Sequence, residues 1–104
     1  MNSFIRDTLT PTGVPVAYMT YTGAKSEYII FNYWSSPLVH ADNVEVKEDV
    51  TVQIDIFSAG NFTVLAEDAK NRMIDAGFTR VLENSGYDND MKMFRKTYRF
   101  NYIK

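Results

Sequence analysis

The sequence predicts an α+β domain: a mostly antiparallel β-sheet, one main amphipathic helix packed across a face of it, and a short N-terminal helix. Three observations predict this. The run VTVQIDI, Val50–Ile56, alternates apolar and polar residues with period two, as a half-buried strand does. Directly downstream, Phe62, Leu65, Ala66, Ala69 and Met73 recur at three- and four-residue intervals. Glu67, Asp68, Lys70, Asn71 and Arg72 fall largely elsewhere, so residues 61–76 form an amphipathic helix. The elements run in the order α-β-β-β-α-β-β, a clustering of strands that favours α+β over alternating α/β.

Each element follows from local chemistry. Asn2–Leu9 reads as a short helix with Phe4, Ile5 and Leu9 on one side, ended by Pro11, Gly13 and Pro15. Val14–Tyr21 is a strand with Gly23 in the turn after it. Tyr28–Trp34, YIIFNYW, is apolar on both faces apart from Asn32, which places it inside a sheet. Ser35–Asn43 is loop-like, with Pro37 and Asp42-Asn43 as turn chemistry. The third strand begins as early as Val44. Asn61 is the expected N-cap of the main helix, and Gly77 the residue after its end. Phe78–Glu83 is a strand or arm, and Asn84–Asp90 a polar turn. In the last strand, Met91–Ile103, Phe94, Tyr98, Phe100 and Tyr102 share one parity, and Arg95, Thr97, Arg99 and Asn101 the other.

A chain of 104 residues suits one domain, 1–104. Fifteen aromatics, seven Phe, seven Tyr and one Trp, supply core volume. The absence of cysteine excludes disulfides, thiolate catalysis and Cys-ligated metal. Thirteen acids against eleven bases give −2, so bulk attraction to nucleic acid or membrane is not expected. No apolar run approaches the roughly 20 residues of a membrane span. A soluble intracellular protein is expected.

Candidate chemistry is sparse. The SAGN turn, Ser58–Asn61, joins strand to helix as a phosphate loop would, but one glycine and no following Lys-Ser or Lys-Thr fit a joint instead. In that reading Gly60 permits the bend and Asn61 caps the helix. His40 is the sole histidine and, beside Asp42, the sole acid–base candidate. Asp42, Glu45, Glu48 and Asp49 lack the alternate spacing of a Ca²⁺ loop. No catalytic, cofactor or metal site is expected.

Charge, however, is blocked. Asp42–Asp55 holds five acids and one base, and Met91–Lys104 five bases and no acid. Either Asp55 faces Arg95 or Arg99 across the sheet, or the blocks dock on neighbouring copies or other proteins. Candidate contacts are Asp42, Glu45, Glu48 and Asp49 on one side, with Lys92, Arg95 and Arg99 on the other. Two alternatives stand beside this. FRKTYRFNY mixes aromatics with bases as single-stranded nucleic-acid modules do, although core packing of Phe94, Tyr98 and Phe100 would preclude stacking on bases. A small ligand-binding α+β domain using His40 is the other.

YIIFNYW, HADN, VTVQIDIFSAGNFTVLAEDAKNRMIDAGF and MKMFRKTYRFNY together resemble the tail-completion, or head–tail joining, proteins of long-tailed bacteriophages and prophages. The resemblance spans about Phe4–Tyr102. It implies a structural protein without enzyme activity or cofactor, assembled in the host bacterial cytoplasm and located at the virion head–tail junction. It also implies a ring of copies, typically hexameric in the family, between the major tail tube protein and the head connector or stopper. No site residue carries over from it.

Overall fold

A computed structural model describes residues 1–37 and 48–103. Helix α1 (Asn2–Leu9) leads through a 3-10 turn (Thr10–Thr12) to β1 (Val16–Tyr18), β2 (Glu27–Pro37) and β3 (Glu48–Ser58). Helix α2 (Thr63–Asp75), β4 (Thr79–Asp88) and β5 (Met93–Ile103) complete the chain. The five strands form one sheet in the order β1-β2-β3-β5-β4, antiparallel except where β1 runs parallel to β2. The fold is α+β, in the element order that periodicity predicts.

Both helices lie on one face of the sheet. There Ile29 and Phe31 of β2, Val50, Val52, Ile54 and Ile56 of β3, and Tyr98 and Phe100 of β5 bury against Ile5, Leu9, Ala66, Ala69 and Met73. The period-two run of β3 is matched residue for residue, Ile54 opposite Phe31 on one side and Tyr98 on the other. Small alanines at the centre of α2 let the helix approach the sheet closely, and Phe62 and Leu65 pack at its margin. Among the described residues, the opposite face carries no helix. At one end of it Tyr28, Phe57 and Met93 form a smaller buried cluster.

Several boundaries differ from expectation, each for a physical reason. β1 is three residues long: Met19 adopts φ 67, and the Thr20 N–H turns back to the Tyr18 carbonyl at 2.7 Å. Ser35–Pro37 belongs to β2, paired with Val50–Glu48. The rest of the expected loop, the Val44 strand start, His40, Asp42 and Glu45 lie outside the described residues. Asn84–Asp88, expected as turn, is strand, because the eleven-residue β5 offers it a full ladder. Pairing overrides the weak strand propensity of Asn, Ser and Gly. Phe78 plugs the core beneath the end of α2.

The C-terminal end of α2 follows the sequence, but at its start the N-cap is Phe62, not Asn61, which sits one residue earlier and caps from outside the helix. The Asn61 carboxamide accepts the Thr63 N–H at 2.9 Å, taking up a donor of the first turn. Gly77, at φ 106, ends the helix, with the Phe78 N–H bonded back to the Met73 carbonyl at 3.1 Å. Gly60 is not the hinge that the sequence suggests: it needs no positive φ, and a Cβ there would meet nothing within 4 Å.

Candidate protein interface

The SAGN turn uses its own donors. The Gly60 N–H bonds Ser58 Oγ at 3.1 Å, the Ala59 N–H bonds the Ser26 carbonyl at 3.1 Å, and Asn61 takes Thr63. Ser58 in turn donates to the Glu27 carboxylate at 3.2 Å. These N–H groups close the joint and do not converge on an outside anion.

The helix-free face is polar along its middle. Asp55 stands opposite Thr97, not Arg95 or Arg99, and accepts the Thr97 hydroxyl at 2.5 Å. Gln53 donates to the other Asp55 oxygen at 3.3 Å and accepts from Arg99 Nη2 at 2.7 Å. The Arg99 guanidinium also lies over the Trp34 ring, 5.4 Å from its centroid. One amide therefore relays between Arg99 and Asp55, and the direct ion pair expected across the sheet does not form.

The structure separates the described acids Glu48 and Asp49 from the bases Lys92 and Arg95. Glu48 and Asp49 begin β3, opposite Pro37 and Ser36 of β2. Arg95 stands opposite Phe57, eight residues further along β3, or about 26 Å away. Lys92 ends the β4–β5 turn at φ 54, in the left-handed region that few lysines adopt. Lys92 and Arg95 are exposed, whereas Arg99, Glu48 and Asp49 are half-buried. Among the described residues, ion pairs join Glu67 to Lys70, Asp68 to Arg72, and Glu83 to both Arg80 and Lys96. None of these involves Lys92, Arg95, Arg99, Glu48 or Asp49.

Two clefts open at the Arg95 end. One, of about 430 Å³, is lined by Gly86, Tyr87, Asp88, Asn89, Asp90 and Arg95. Its Asp88 carboxylate already accepts the N–H groups of Asp90 and Met91, both at 3.0 Å, and so serves to shape the turn. The other, of about 390 Å³, is apolar, between Gly60, Asn61, Phe62 and Phe94. Phe94 is 38% exposed and touches both Phe62 and Tyr87, so it caps the core's edge instead of filling the core as its parity suggests. Tyr98 and Phe100 are fully buried and cannot stack on bases. Sequence reasoning missed this aromatic end and the exposed Trp34. Neither has a periodic signature, because exposure there depends on where the helix layer stops.

Among the described residues the geometry defines a class: a helix-backed sheet whose polar side chains serve structure, with two exposed cations, Lys92 and Arg95, at one end. A scan of protein-family models finds no match to the chain, and a search of curated protein sequences finds none. Among solved structures, the chain is similar to a chain of the virion of a native gene transfer agent (GTA) particle, with a TM-score of 0.71. Identity is 12%, over 99% of this chain and 92% of that one. At that identity the likeness shows a shared fold.

Proposed function

We propose that this chain is a structural protein of a phage or phage-like virion, which completes the tail and joins it to the head connector by forming a ring. The observation that carries this reading is the fold shared, over nearly its whole length, with a chain of a gene transfer agent virion. The protein works by contact, with no catalysis and no cofactor. Its partners are further copies of itself in a hexameric ring, the major tail tube protein and the head connector or stopper.

The separated charge blocks support head-to-tail contacts. A ring requires a heterologous interface, in which one patch meets a different patch on the next copy. Lys92, Arg95 and Arg99 supply one patch, and Asp42, Glu45, Glu48 and Asp49 the other. Lys92 and Arg95 lie towards one end of the sheet, Glu48 and Asp49 towards the other, and Arg99 midway, opposite Gln53; this separation favours contacts between copies over pairing within one.

Deleting the gene from its phage or prophage tests the function. Electron microscopy is expected to show filled heads beside unattached or overlong tails. Normal virions from the deletion strain would refute the reading.

A further inference from the structure

The two edges of the sheet are unlike. At the β1 edge, which is three residues long, the Val16 carbonyl accepts Arg6 Nη1 at 3.0 Å and the Tyr18 carbonyl accepts the Thr20 N–H. That edge is closed to strand addition. At the other edge β4 runs ten residues, paired to β5 on one side only, with its side chains exposed from Thr79 through Tyr87. An edge of this length is a template for another strand. Its charges do not defend it, since Glu83 is neutralised by Arg80 and Lys96.

We propose that the free chain pairs reversibly with a second copy of itself through β4, antiparallel about a two-fold axis at Asn84. The closed β1 edge offers β4 no strand, so among the described residues a second β4 is the matching edge. A two-fold perpendicular to the sheet keeps both helix layers on one side, and each residue then opposes one of its own face. Glu83, Ser85 and Tyr87 share the helix face, and Leu82, Asn84 and Gly86 the other. An axis at Glu83 would set two carboxylates opposite each other. An axis at Asn84 sets Glu83 opposite Ser85 and Leu82 opposite Gly86. It also sets Val81, 56% exposed in the extra position of the bulge, opposite Tyr87, 49% exposed. The three large apolar residues of this edge are thereby covered without opposing like charges.

The contact from Val81 to Tyr87 is about 24 Å long and one strand deep. That is far from the roughly 800 Å² per partner of a standard stable interface, so pairing is weak, on the order of 10⁻⁴ M. Neighbours in a cyclic ring are not related by two-folds, so this pair is a form of the unassembled protein.

Ser85 separates pairing from folding. Within one copy it stands opposite Lys96, and in the pair it stands opposite Glu83 of the second copy. Ser85→Lys therefore repels Lys96 internally but gains two contacts to Glu83 across the axis, and Ser85→Glu does the reverse. Sedimentation equilibrium of the full chain from about 10 µM to about 1 mM reads the outcome. The wild type is expected to rise from 12.0 kDa towards twice that mass. Ser85→Lys should pair at about tenfold lower concentration, and Ser85→Glu should stay single. Melting temperatures should order the opposite way. A wild type that remains single throughout would overturn the proposal. So would two variants that shift association in the same direction, or larger assemblies that ignore both substitutions.

Discussion

The Thr97 hydroxyl, not an arginine, meets the Asp55 carboxylate across the paired strands β3 and β5, at 2.5 Å. With Gln53 on its other oxygen, Asp55 is satisfied by neutral donors. Thr97→Val removes one donor from a half-buried carboxylate and is expected to cost about 1–2 kcal/mol. Urea unfolding checks this; a loss below 0.3 kcal/mol, roughly the scatter of such additivity, would show the contact to be idle.

Arg95 and Arg99 should respond differently to reversal. Arg95 is exposed and unpaired among the described residues, so Arg95→Glu should leave stability within about 0.5 kcal/mol of wild type. Arg99 bonds Gln53 and stacks on Trp34, so Arg99→Glu should lose about 1–2 kcal/mol. Arg95→Glu is thus the clean probe of the proposed contact. Virions complemented with it should contain fewer joined heads and tails, counted by electron microscopy, while the purified variant melts normally.

Two glycines make opposite predictions. Gly77 holds φ 106, and an added Cβ would sit 3.3 Å from Tyr102 Cε1. Gly77→Ala should destabilise by about 1–2 kcal/mol. Gly60 has open space and no positive φ, so Gly60→Ala should be neutral or stabilising by up to about 0.5 kcal/mol. Thermal melts of the pair decide whether the helix exit or the SAGN joint is the constrained turn.

Alkaline pH should weaken the fold. Burial, followed by the Glu83 and Glu67 carboxylates, pushes the Tyr98 hydroxyl from 10.0 up to about 12. Between those values the unfolded chain releases this proton and the folded chain retains it. The stabilisation is therefore complete below pH 10 and is lost as pH rises through 10 towards 12. Tyr28, also raised by burial, adds to the decline. Melting temperature followed over that range should fall, and Tyr98→Phe should make the fall shallower.

Much of this molecule was determined by short-range patterning. Alternation from Val50 to Ile56 specifies β3 and its buried face, and spacing from Phe62 to Met73 specifies α2. The φ requirement at Gly77 specifies where α2 stops. These features depend on which residues are near in sequence, so periodicity and backbone sterics suffice to read them. Tertiary structure alone decided the rest. Asn84–Asp88 became strand because β5 lay alongside, Asp55 met Thr97 because the register put it there, and Phe94 surfaced because α2 begins short of it, at Thr63. The unequal edges have the same origin, since only the folded chain brings Arg6 to the Val16 carbonyl and, among the described residues, leaves β4 paired on one side only. Long-range pairing fixes register and sheet order, and no local pattern encodes either.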